Sequence, residues 1–265
     1  MKIDKILLAA AAFSAGAAFA AEICRPEFKD FIPPKRVEQK DGYFSVSGKQ
    51  FWVQCMRTFA VDPAKKYTIS GEFRFRGTPL KSFYVGLVPL TEKGMGIPPV
   101  SIHAEPGTET TLAAPASVGD RILKAADGAK WNNRFPYPAV AFDVKDDFAD
   151  VPNYSAVAMK KGSVKKAGDV WEIELVSPLK KAYPAGTRIR QHRFGGAYIY
   201  TTAKFKNFSG EWEKFSGTVT GMTKNTRSDK QFWPRTAKAR LIILTSTGAD
   251  DSVVEFRNLV VEENE

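Results

Sequence analysis

Eleven consecutive residues, Asp127-Gly128-Ala129-Lys130-Trp131-Asn132-Asn133-Arg134-Phe135-Pro136-Tyr137, put three aromatic rings and two amides into one polar turn. Flat rings accept the C–H faces of sugars, while nearby amides and charged groups bond the hydroxyls. Trp131 is therefore the expected stacking platform, with Asn132, Arg134 and Tyr137 around it. In the competing reading, Trp131 and Phe135 only cap one end of the fold. A second ring, Trp233, lies in the most basic stretch of the chain, with Lys224, Arg227, Lys230, Arg235, Lys238 and Arg240 against the single acid Asp229. Arginine forks grip carboxylate or sulfate at two points while an aromatic ring lies alongside. Trp233, Arg227 and Arg235 are thus candidates for an acidic ligand, although a charge run is also what a solvated loop looks like.

The third candidate is 188–200, Arg-Ile-Arg-Gln-His-Arg-Phe-Gly-Gly-Ala-Tyr-Ile-Tyr. Strand alternation puts Arg188, Arg190 and His192 on one face. They read as a groove lining, as a solvent face, or as partners of Glu172 and Glu174 across a sheet. For catalysis, His192 with Tyr198 or Tyr200 could abstract a proton while Arg190 neutralises an acidic sugar. A hydrolase needs two facing carboxylates, and Trp171-Glu172-Ile173-Glu174-Leu175-Val176-Ser177 has no third acid in phase. His103 and His192 are the only histidines, and no serine elbow, phosphate loop or metal-spaced histidine pair occurs.

Strands must position these groups. The clearest is 67–76, where Tyr67, Ile69, Gly71, Phe73 and Phe75 alternate with Thr68, Ser70, Glu72, Arg74 and Arg76. A period of two gives one core face and one wet face. Further strands are expected at 83–90, 121–125, 139–144, 170–176, 187–194, 198–202, 215–220, 239–245 and 253–261, separated by Gly, Pro, Asn and Asp clusters. Helices are limited to short pieces at 26–31 and 146–150. The pattern predicts an all-β chain, a two-sheet antiparallel jelly-roll sandwich with residues 21–265 as one domain. Trp171, Trp212 and Trp52 read as core, and the long connections 94–131 and 132–154 as the places where ligands bind.

Residues 1–20 read as a secretory signal cleaved after Ala20, with Lys2 and Lys5 before an apolar run that ends Ala18-Phe19-Ala20. The run is short for a membrane span. Export predicts a periplasmic or secreted protein, and it permits a disulfide between the only cysteines, Cys24 and Cys55. The chain carries +10; without the signal, 37 basic and 28 acidic residues leave +9. Outside the cytoplasm that charge favours an anionic glycan or envelope polymer over nucleic acid. Hydrophobic residues at 43% and aromatic residues at 12% fit a folded globule.

The order of 67–74, then Trp212 with Phe215-Ser216-Gly217, then 239–244 and 254–259 resembles the galactose-binding-like jelly-roll carbohydrate-binding modules of bacterial polysaccharide-degrading systems. That resemblance implies a polysaccharide or glycan partner, no catalysis, no cofactor and in some members a structural calcium ion. Where such modules carry acids on the last strand, this chain has Arg257 and Asn258. A polysaccharide lyase or glycoside hydrolase on the same scaffold, or an envelope structural or adhesion protein, are the alternatives.

Overall fold

A computed structural model describes residues 20–33, 37–223, 227–228, 230–246 and 248–264. The signal segment 1–19 lies outside them, as do Lys224 and Asp229 of the basic loop. Every strand expected from the alternation is present, with bounds shifted by a few residues, and all pairings between named strands are antiparallel. Sequence reading missed the short strands near the N-terminus, among them Val37–Lys40, Tyr43–Ser47 and Trp52–Cys55. Of the helical pieces, Phe28–Asp30 forms one 3-10 turn and 146–150 forms none; a helical turn instead occupies Pro99–Ile102.

Two six-stranded sheets make the sandwich. In the first, Lys66–Arg76 lies between Glu213–Thr220 and Val253–Asn264, which also pairs with Tyr43–Ser47. In the second, Ser82–Leu90 lies between Ile199–Lys204 and Lys238–Ser246, which also pairs with Trp52–Cys55. Phenylalanines on the inner faces close the space between the sheets: Phe73 meets Phe83 edge to face at 4.8 Å, and Phe75 meets Phe83 at 5.2 Å. Each buried ring removes a large apolar area from water, and edge-to-face geometry adds about 0.5–1.5 kcal/mol per pair.

Two smaller antiparallel sheets lie between Leu90 and Ile199 in the chain. One pairs Ile122–Ala125 with Val170–Glu174 and Lys165–Ala167; the other sets Pro138–Phe142 beside Arg188–Arg193. They bury a cluster of their own that includes Leu123, Trp131, Val140, Phe142, Ile173 and Ile189. Strands Ser82–Leu90 and Ile199–Lys204 are hydrogen-bonded neighbours, so the chain leaves and re-enters the large sheet at adjacent points.

Cys24 and Cys55 are free and buried, so the expected disulfide is not formed. Cys24 sits on the strand paired with Val253–Asn264 and Cys55 on a strand of the opposite sheet. Cys55 Sγ donates to the Arg57 carbonyl at 3.7 Å, and the neighbouring Cys24 thiol together with burial pushes the Cys55 thiol up. Among the described residues no helix is long and apolar enough to cross a membrane.

Candidate functional site

The outer face of the second sheet carries an aromatic row. Cross-strand pairing sets Tyr200, Gly86, Ile242 and Gln54 in one line, and Ala203, Tyr84, Leu244 and Trp52 in the next. Directly opposed residues of antiparallel strands share a face, so these side chains point together, away from the sandwich core. Tyr84 and Tyr200 pack as a tilted pair with centroids 4.7 Å apart, Tyr198 stands at 6.2 Å from Tyr200, and Phe205 meets Tyr84 at 5.6 Å. Phe205 and Trp52 are exposed, Trp52 at 48%. Burial among its neighbours pushes the Tyr200 hydroxyl up to about 12, so it stays protonated and able to donate a hydrogen bond at neutral pH.

At one end of this face the row runs into a groove of about 320 Å³, lined by Gln54, Val88, Pro89, Ile97, Gly195, Gly196, Tyr198 and Arg240 among others. Its floor is apolar: Val88 and Ile242 are buried there, with Tyr198 packed on them. Two groove-lining residues each bury a polar atom, shut off from solvent, that has no hydrogen-bond partner among the described residues: the Gln54 Oε1 acceptor and the Arg240 Nε donor. Gln54 is only 5% exposed. The Arg240 guanidinium is steered by a 3.0 Å contact from Nη1 to the sulfur of Met56. Gln54 faces Ile242, two residues from Arg240 on the neighbouring strand, so an acceptor and a donor sit diagonally on one surface. A buried polar atom left unpaired costs about 1–3 kcal/mol.

The far wall of the groove is backbone, and groups behind it hold it in place. Trp233 Nε1 donates to the Ala197 carbonyl at 2.9 Å, and His103 Nε2 donates to the Gly196 carbonyl at 2.8 Å. The two rings meet edge to face at 5.6 Å. A Cβ on Gly195 would stand 2.7 Å from the His103 ring, so only glycine lets the wall approach it.

Sequence reasoning misplaced both tryptophan platforms. Trp131 is 6% exposed and Trp233 2%, so neither offers a face to a sugar. Trp131 Nε1 is used internally, donating to Thr108 O at 2.8 Å, and Gln191 clamps the following turn through the Asn132 backbone at 2.7 and 3.1 Å. Asn132 Oδ1 caps the Arg134 N–H at 2.8 Å. Arg134 and Tyr137 remain exposed, at a distance in the chain from the groove. Arg235 is exposed and lines a different concavity; Arg227 accepts a hydrogen bond from Thr223 through its carbonyl. Trp52, expected in the core, is instead exposed. Trp212 is partly buried on the other sheet, its ring between the guanidiniums of Arg74 at 4.5 Å and Arg257 at 4.3 Å.

The proposed catalytic group fares differently. Arg190 and His192 are fully buried, not on a groove or a solvent face. Arg190 pairs with Asp150 at 2.8 Å, lies 3.8 Å from Glu109 and covers the Phe148 ring at 4.5 Å. Neither Glu172 nor Glu174 pairs with it; those acids meet Lys165 and Lys160. His192 Nδ1 lies 2.8 Å from the Val100 carbonyl, which can only accept, so the proton sits on Nδ1 and Nε2 faces Arg190 at 3.3 Å. Burial pushes its pKa down to about 4. A base enclosed this way cannot reach a substrate, whereas Tyr198 and Tyr200 of the same set do border the groove and its row. Among the described residues no three His, Cys, Asp or Glu side chains are grouped to hold a metal ion.

No protein-family model matches the chain, and no curated protein matches it. Among solved structures, a "Putative glycosyl hydrolase" from Parabacteroides distasonis is 13% identical over 89% of this chain and 97% of its own, with a TM-score of 0.28. The VP2 subviral particle of infectious bursal disease virus is 10% identical over 84% of this chain and 40% of its own, with a TM-score of 0.13. Scores this low carry no argument about fold or function.

Proposed function

We propose that the protein binds carbohydrate without cleaving it, at the groove of Gln54, Arg240 and Tyr198 and along the row of Tyr200, Tyr84 and Trp52. The observation that carries this reading is the exposed aromatic row beside the apolar-floored groove: Trp52 and Phe205 open to solvent, with Tyr84 and Tyr200 4.7 Å apart next to them. A sugar offers C–H faces for these rings and hydroxyls for the polar side chains that line the groove. A polysaccharide suits a row that crosses from the strand Ile199–Lys204 to Trp52–Cys55, three strand spacings or about 14 Å, longer than one pyranose ring. The chain's positive charge favours an acidic one. An exported location, periplasmic or secreted, belongs to the same reading.

The test is a glycan array followed by calorimetry on the best oligosaccharide. Tyr198→Ala and Arg240→Ala are each expected to weaken binding at least tenfold without product formation. Unchanged affinity in both variants would move the site elsewhere, and release of unsaturated or reducing sugar would make the protein an enzyme.

A further inference from the structure

A second concavity, of about 670 Å³, shares no lining residue with the groove. Its walls are the hairpin tip at 91–95, Tyr154 and residues 235–237. The Arg235 guanidinium lies 5.6 Å from the centroid of the Tyr154 ring, which is itself exposed. Among the described residues no ion pair or side-chain hydrogen bond engages Arg235 or Lys93, and both cations line the pocket. Glu92 lines it too, leaving two cations against one acid.

Arg235 is also held in an uncommon backbone conformation. Its φ is +66°, the left-handed region that costs a side chain with a Cβ but not glycine. The turn that imposes it is anchored below: Thr236 donates from N at 3.1 Å and from Oγ1 at 2.6 Å to the carbonyl of buried Trp233. A strained arginine at an open pocket, where glycine would sit without cost, points to a use for its side chain.

We propose that this pocket binds one acidic sugar ring, carboxylated or sulfated, with the anion on Arg235 and Lys93 and the ring face on Tyr154. The bidentate fork suits either anion. This site does not depend on occupancy of the groove.

The test is calorimetry on the full chain with galacturonate, galactose 6-sulfate and neutral galactose, against wild type, Arg235→Gly, Tyr154→Ala and Gln54→Leu. The acidic sugars are expected to bind at least tenfold more tightly than galactose, and the tighter of the two identifies the preferred anion. Arg235→Gly is expected to lose that advantage while keeping or raising the melting temperature, since it relieves the left-handed strain. Tyr154→Ala is expected to weaken binding, and Gln54→Leu, whatever it does to the groove, to leave the acidic-over-neutral advantage unchanged. Equal affinity for all three sugars, or wild-type affinity in Arg235→Gly, overturns the proposal; so does loss of the acidic-over-neutral advantage in Gln54→Leu, which would assign that advantage to the groove.

Discussion

Replacing Gln54 by leucine separates what this residue contributes to stability from what it contributes to recognition. Its Oε1 is buried without a partner, so an apolar side chain of similar size is expected to stabilise the fold by about 1 kcal/mol while glycan affinity falls at least tenfold. Chemical denaturation beside calorimetry checks both. Trp233→Phe keeps the ring but drops the bond to Ala197; it is expected to cost about 1 kcal/mol and to weaken glycan binding by loosening the wall. Wild-type affinity in that variant would disconnect the tryptophan from the groove. His192 gives a pH dependence. Its folded pKa of about 4 lies below that of an unfolded histidine, so the unfolded state binds the extra proton. Stability is complete above roughly pH 6.5 and falls as pH drops toward 4; His192→Asn is expected to flatten that slope in urea titrations. Sequence reading chose Trp131 and Trp233 because indoles in polar turns look exposed. Both are buried because each turn folds its ring inward onto a backbone carbonyl, Thr108 or Ala197, and no local pattern announces such a partner. Arg240 reads only as one cation of the basic stretch and Gln54 gives no signal, since an unpaired atom is a property of its surroundings.

Strands carry the recognition row, and one glycine sets their spacing. A Cβ on Gly86 would stand 2.3 Å from the Ile199 carbonyl oxygen and 2.9 Å from the Tyr200 Cα. Both are backbone at a point where the pairing register shifts between Tyr200 and Thr202, so nothing flexible can yield. Gly86→Ala is therefore expected to destabilise by about 1–3 kcal/mol and to disturb the Tyr84–Tyr200 pair, visible in near-ultraviolet circular dichroism; a native spectrum and melting curve would contradict the account. The strands themselves were legible from alternation, as at 67–76, where wet and dry faces differ in polarity. The aromatic row was not. In Phe83-Tyr84-Val85-Gly86-Leu87-Val88 both faces are apolar, so alternation separates two sides without saying which meets solvent. The strand Arg188–Arg193 misleads the opposite way: its polar side reads as wet, yet Arg190 is enclosed by Asp150, Glu109 and Phe148.

At the scale of the molecule, the all-β sandwich was readable, whereas the second buried cluster was not, because the segment holding it begins and ends on neighbouring strands and needs no linker to mark it. Within that segment Arg190 ties its strand to the 143–153 loop, through Asp150 and the Lys145 carbonyl, while His192 beside it holds the Val100 carbonyl. Asp150→Ala leaves the buried guanidinium without its closest partner and is expected to cost about 3–5 kcal/mol; a loss under 1 kcal/mol would show that Glu109 suffices. The groove sits where the chain crosses from one buried cluster to the other: Ile97 and Pro99 on the outgoing crossing, Gly195 to Tyr198 on the return. A ligand seated there acts as a clasp on both crossings at once. Its binding free energy must then appear as slower amide exchange across 104–189, far from any atom it touches.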